Sequence, residues 1–157
     1  MPFTPLHFGL NASIGIILKK YISIPMCILA NVIIDIQPLL VIFFDFDLEL
    51  HGFSHTLLGG TILMLPISIV LGVIIKKVYR KNIAIGSYIL GGEVGVILHI
   101  LLDSFMHKDV KLFWPFSDIS FANDNMIKLV NPICIIGYIL MIILIVINMV
   151  LKKKDLK

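Results

Sequence analysis

The sequence predicts an all-α integral membrane protein, a bundle of about five transmembrane helices, from three observations. Of its 157 residues, 59% are hydrophobic and 15% are charged, against about 45–50% and about 25% in soluble domains. The mean hydropathy is +1.03. The apolar residues also come in uninterrupted runs. These suit helices needing ~20 apolar residues to cross a bilayer better than the alternating ten-residue strands of a membrane barrel. At this length about five spans use nearly the whole chain, so residues 1–157 read as a single multi-pass membrane domain. That leaves no room for a soluble catalytic, nucleotide-binding or DNA-binding module. The net charge of +3 reads as topology information, and no nucleic-acid partner is expected.

The elements follow from their punctuation. The first span covers about residues 6–18 and stops at Lys19-Lys20, short for a full crossing. It follows Met1-Pro2-Phe3-Thr4-Pro5, a turn-like opening without the basic region of a signal peptide. The second covers about 24–44 and ends in the acidic turn of Asp45, Asp47 and Glu49; Pro38 frees the carbonyl of Ile34 and predicts a kink beside Asp35. The third covers about 53–75 and ends at Lys76-Lys77, and the fourth about 83–105. A polar loop over about 107–125 carries Phe113-Trp114-Pro115-Phe116, which fits an interfacial aromatic belt or a lid. The fifth span covers about 126–151 and ends at Lys152-Lys153-Lys154. Cys27 and Cys134 lie inside apolar runs without CxxC spacing, and read as small buried hydrophobes.

Charge orients these spans. Ten of the thirteen basic residues fall into three clusters, Lys19/Lys20, Lys76/Lys77/Arg80/Lys81 and Lys152/Lys153/Lys154/Lys157. If the first span starts outside, all three lie on one side, the cytoplasmic side by the positive-inside rule. The expected layout in the cell membrane is N-terminus outside, C-terminus cytoplasmic.

The same topology gathers the histidines. His7 opens the first span, His51 and His55 open the third, and His99 and His107 close the fourth, so all five meet at the outer face with Asp103 and Asp109. Ionisable groups in membranes are costly and mark function. His51-x3-His55 predicts two imidazoles on one helix face, and His99-x3-Asp103-x3-His107 a stripe of three potential ligands. Imidazole plus carboxylate suits zinc, and also iron or manganese. Three ligands along one helix are too spread to hold one ion alone, so the other spans must complete the site. The competing role for these groups is hydrogen-bonded helix packing. Asp35 and Glu93 lie deeper. Asn31 and Asp35 share a face, and Glu93 sits among Gly91, Gly92 and Gly95, which permit close helix packing, so Glu93 reads as a supporting or structural group.

Read in order, Met1-Pro2-Phe3-Thr4-Pro5-Leu6-His7, Asp35-Ile36-Gln37-Pro38-Leu39, His51-Gly52-Phe53-Ser54-His55-Thr56 and His99-Ile100-Leu101-Leu102-Asp103 with Leu112-Phe113-Trp114-Pro115 resemble the bacterial membrane-bound metal-dependent hydrolases, grouped with the zinc-dependent phospholipase C superfamily. The resemblance covers about residues 1–117 and its positions fall on His7, Asp35, His55, His99 and Asp103. It implies a metal-dependent hydrolase, with phosphoesters as the typical substrates. The chain departs from the pattern in three places. Gln37-Pro38 stands where many relatives carry a second aspartate and a histidine, His51-x3-His55 replaces H-x4-H, and His107 and Asp109 stand where many have proline and glycine.

The leading expectation is therefore a membrane-embedded hydrolase of a phosphoester, with a lipid as one candidate substrate, using water activated by one or two zinc-like ions at the extracytoplasmic face. Its expected ligands are His7, His51, His55, His99 and Asp103. Asp103 or Asp35 is the expected ligand or general base, His107 the expected proton donor, and Glu93 and Asp109 stand behind them. The alternative is a metal- or proton-handling transport or binding protein, with Asp35 and Glu93 on an ion path; the absence of a visible repeat speaks against it. A di-iron oxygen-using enzyme would call for more histidines, and Ser54 and Ser104 lack a nucleophile-elbow context.

Overall fold

A computed structural model describes residues 5–79 and 84–154; the N-terminal Met1–Thr4 of the resemblance and Arg80, Lys81 and Lys157 of the basic clusters lie outside the described residues. The described chain is all-helical. Its segments are α1 (Pro5–Ile17), α2 (Ile24–Ile34), α3 (Ile36–Phe44), a 3₁₀ turn (Phe53–His55), α4 (Leu57–Tyr79), α5 (Ile85–Met106) and α6 (Asp124–Lys154). Four stretches are long and apolar enough to cross a membrane: Ile24–Phe44, Leu57–Tyr79, Ile85–Met106 and Asp124–Lys153. The 13 residues of α1 rise only about 20 Å, short of the ~30 Å hydrocarbon core.

Local chemistry sets the boundaries. Ser23 caps α2, its hydroxyl accepting from the Met26 N–H, with Pro25 in the first turn. The second span breaks at Asp35 and resumes as α3, because Pro38 has no N–H to give the Ile34 carbonyl. The Leu39 N–H then bonds the Asp35 carbonyl at 3.0 Å and restarts the ladder. Asp45 ends α3 in the left-handed region, at φ 51°.

The third span corrects an expectation. His51 and His55 do not share a helix face, since α4 begins only at Leu57. Thr56 is extended, and its hydroxyl accepts from the Gly59 N–H at 2.9 Å. This N-cap fixes the helix start after His55 and leaves His51 in a turn and His55 in the 3₁₀ turn. The stripe on α5 is corrected in the same way. His99 and Asp103 lie on the helix, but His107 caps it in an extended conformation, at φ −116° and ψ 121°, and leaves the helical face.

Helix α5 is the hub of the bundle. The glycines around Glu93 bring it close to two neighbours. A Cβ at Gly91 would lie 2.6 Å from the Ser23 carbonyl, and one at Gly95 would collide with the carbonyl of Cys27, so α5 packs backbone to backbone on α2. A Cβ at Gly92 would strike Ser68 of α4. Met26, Ala30, Ile34, Met64, Val96 and Ile100 fill the space between. Helix α1 runs parallel to α6, with a Cβ at Gly9 2.6 Å from the Tyr138 backbone nitrogen and one at Gly137 2.8 Å from that of Leu10. In its most apolar window α6 buries 11% of its residues and α5 buries 44%, so α6 turns most of its surface to lipid. Both α1 and α4 start at the end of the bundle where α5 stops. The described basic residues Lys19, Lys20, Lys76, Lys77, Lys152 and Lys153 follow or close α1, α4 and α6 at the other end.

Candidate metal centre

Four side chains from three parts of the chain meet at the end of α5. Asp35 comes from the break between α2 and α3, His55 from the 3₁₀ turn, and His99 and Asp103 from successive turns of α5. One donor atom of each lies within 4.8 Å of every other. The closest separations are His99 Nε2 to Asp103 Oδ2 at 3.0 Å, His99 Nε2 to Asp35 Oδ1 at 3.1 Å, His55 Nε2 to Asp35 Oδ1 at 3.3 Å and His55 Nε2 to Asp103 Oδ2 at 3.6 Å. Nitrogen and oxygen ligands 2.0–2.2 Å from a tetrahedral ion stand about 3.3 Å apart, so this spacing is that of a ligand set. His55 and His99 are 0% and 1% exposed, which removes water as a partner for their inward nitrogens.

The hydrogen bonds behind the centre fix which nitrogen faces it. The Asn31 amide donates through Nδ2 to the Ile28 carbonyl at 3.0 Å, which leaves Oδ1 as the acceptor facing α5. That oxygen receives Asn11 Nδ2 at 2.8 Å and stands 3.2 Å from His99 Nδ1. His99 must therefore donate from Nδ1, and in its neutral form Nε2 carries the lone pair. Asn11 is anchored in turn by a second bond, to the Gly95 carbonyl at 3.0 Å. On the other side, Ser54 Oγ holds His55 Nδ1 at 3.0 Å, and Gln37 Oε1 accepts the Ser54 N–H at 3.3 Å. Each imidazole thus turns its Nε2 inward and is held from behind, the arrangement that orients metal-ligating histidines.

Nε2 of His99 and of His7 are buried without a hydrogen-bond partner, although each faces the Asp103 carboxylate. Two carboxylates at the edge of a low-dielectric region also need countercharge. A divalent cation among the four donors answers both demands, so the residues present fit a metal ion. His7 stands beside the set. Its Nδ1 is 3.4 Å from His99 Nδ1, and its Nε2 is 3.7 Å from Asp103 Oδ1, on the carboxylate oxygen that His55 and His99 do not approach.

The remaining expected residues fall elsewhere. His51, His107 and Asp109 make a neighbouring group at the rim, with His51 Nδ1 2.8 Å from Asp109 Oδ2 and His107 Nε2 3.9 Å from Asp103 Oδ1. Burial disfavours the Asp109 carboxylate, but the His51 hydrogen bond outweighs it and holds the group below the usual carboxylate range. Burial likewise holds His107 below the ordinary imidazole value, against the pull of Asp103. Glu93 is six residues before His99 on α5, about 9 Å along the axis, and so stands apart from the four donors, its Oε1 buried without a hydrogen-bond partner among the described residues. Asn11 and Ser54 were not singled out from sequence for this role. The signal for Asn11 was its place four residues after His7, on the same face of α1. Ser54 had only its adjacency to His55.

The model of the YdjM inner membrane protein family matches residues 9–155. That is nearly the whole chain, which belongs to this family. No curated protein and no solved structure matches it.

Proposed function

We propose that this member of the YdjM inner membrane protein family is a metal-dependent hydrolase of phosphoesters, lipid phosphoesters in particular, with its site at the extracytoplasmic face of the membrane. The observation that carries the reading is the convergence of Asp35, His55, His99 and Asp103 at ligand spacing, with both imidazoles locked from behind. The resemblance to membrane-bound metal-dependent hydrolases supplies the reaction class, and the positive-inside rule supplies the face. With two imidazole nitrogens and two carboxylate oxygens as the donor set, zinc is the proposed ion.

When bound, such an ion supplies Lewis acidity and lowers the pKa of a coordinated water toward ~7. The chain's own residues do the rest. Asn31 holds His99 in the tautomer that presents the Nε2 lone pair, and Ser54 holds the His55 ring with its Nε2 turned inward. Asp103 serves two neighbours with its two oxygens, and His7 at its Oδ1 is placed to hold a proton. Burial at 0–4% exposure for His7, His55, His99 and Asp103 keeps bulk water out, which strengthens every charge interaction within. An apolar cleft supports access by a lipid. The cleft, of about 440 Å³, lies between the broken second span and α4, lined by Ile33, Ile36, Leu40, Leu63 and Ile67. Gln37 and Ser54 also line it, and Ser54 is the residue that holds His55.

The test is release of phosphate or of a phosphorylated headgroup from phospholipid in mixed micelles by the purified chain. Activity should vanish on chelation, return with zinc, and be lost in Asp103→Asn. Stoichiometric metal with no ester turnover, together with metal flux into proteoliposomes, would contradict hydrolysis in favour of transport.

A further inference from the structure

The rim group is a second constellation of ligand-type side chains, beside the buried centre but built from other residues. His51 comes from the turn before the 3₁₀ turn, His107 from the cap of α5, and Asp109 from two residues further on. One donor atom of each lies within 4.8 Å of the others. The His51 and His107 rings stand 4.3 Å apart, tilted by 30°, with His51 Nδ1 on Asp109 Oδ2 at 2.8 Å.

The loop that carries His107 and Asp109 is fixed rather than loose. Val110 and Leu112 are 0% and 4% exposed, the Leu57 N–H bonds the Leu112 carbonyl at 3.0 Å, and the Val110 N–H bonds that of His107 at 3.3 Å. One imidazole and one carboxylate therefore reach their positions by the packing of the fold itself, and His51, itself buried, meets them from the turn before the 3₁₀ turn.

An ordinary ion pair would explain His51 with Asp109. It does not account for the second imidazole at the same point, where two protonated rings would repel and a shared cation would engage both neutral ones. Lys111 is paired with both Glu49 and Asp118, at 3.7 Å each, so its ammonium is engaged by carboxylates other than Asp109.

We infer that His51, His107 and Asp109 form a second divalent-cation site, separate from the buried centre and more open than it. Asp109 is 46% exposed on its side chain and His107 18%, whereas the buried histidines are at 0–1%. Three protein ligands leave coordination positions free. His51 also lines a cleft of about 200 Å³ with Glu49, Lys111 and Trp114, so a ligand in that cleft can complete the shell. The site's residues include His107 and Asp109, where this chain departs from the pattern it resembles. Under this assignment His107 is a ligand, and the proton-donor role passes to His7.

The inference rests only on the metal-binding half of the proposed function, not on hydrolysis. Its test is zinc titration of the full chain, purified in detergent and stripped with a chelator, followed by calorimetry and elemental analysis. The wild type should bind two equivalents, one tightly and one at least tenfold more weakly. Asp109→Asn and His107→Ala should each remove the weaker event and keep the tight one, whose retention also reports an intact fold. His99→Ala should do the reverse. One equivalent in the wild type that survives in both rim variants, or two undiminished in both, would overturn the second site. One equivalent that the rim variants abolish and His99→Ala leaves in place would instead count against the buried centre.

Discussion

The buried group and the rim group use the same two residue types a few ångströms apart, and differ in what stands behind them. Behind the buried centre, Asn11, Asn31 and Ser54 form hydrogen bonds that reach back to α1, α2 and the Gly95 carbonyl. Behind the rim group stands a loop pinned by Val110 and Leu112, and His51 hydrogen-bonds Asp109, a ligand-type residue that is itself half open to solvent. The same chemistry is thus presented once as a rigid, dry ligand set and once as an accessible one. The difference teaches that the same two residue types are made rigid or accessible by the second layer of side chains, which on the proposed reading would set the metal affinity of each group.

The largest effect should come from the residue that touches both groups. Asp103→Ala removes the carboxylate whose Oδ2 faces His55 and His99 and whose Oδ1 faces His7 and His107. Tightly held metal should fall to near zero by elemental analysis, and zinc titration should show weakened rim binding as well. A variant that keeps its full metal content would erase the distinction between the two groups.

Next comes the backbone contact that sets the depth of His99. Gly95→Leu drives a side chain into the Cys27 carbonyl and displaces the acceptor of Asn11. Overpacking of this kind costs about 1–3 kcal/mol or more, so the thermal midpoint in detergent should drop and tight metal binding should fail with it. An unchanged midpoint would mean that α5 does not sit on α2 as described.

Asn31→Ala probes the second layer alone. It leaves every ligand in place but releases His99 Nδ1. Loss of such a supporting partner costs about 10–100-fold in metal affinity, measurable by competition with a chelating dye. The weaker rim event should be unmoved. An equal loss at both groups would show that Asn31 acts through general stability.

The smallest effect on the buried centre is expected from Asp109→Asn. The change is on the surface and should leave the tight affinity within about twofold, the range of substitutions away from buried networks. Acid should act on both groups in one direction, because imidazole must be neutral to bind metal. Metal retention should be full at neutral pH and fall as the pH drops, with the rim ion leaving first because it is the more weakly held of the two.

Much of this was legible in the sequence. Uninterrupted apolar runs and basic clusters specify helices, and the spacing of His99 and Asp103 survives folding because both lie well inside α5. Asp35 was placed near the centre by Pro38, whose missing N–H breaks the span where the carboxylate sits. What failed was local. Thr56 as an N-cap starts α4 four residues later than hydrophobicity alone suggests, so His51 and His55 part ways, and His107 turns off the helix end because a cap is not a helical residue. The role of Asn11 depends on a contact with Asn31 across twenty residues and with Gly95 across eighty-four, and such pairings are set by tertiary packing rather than by any local pattern.

The central claim is that Asp35, His55, His99 and Asp103 hold one divalent ion. X-ray absorption at the zinc edge of the purified, tightly loaded chain tests it most directly. The prediction is a four-coordinate shell of nitrogen and oxygen near ~2.0 Å with the outer-shell scattering of two imidazoles, falling to one imidazole or to no retained zinc in His99→Ala. A shell without imidazole scattering, or one unchanged by His99→Ala, would contradict it.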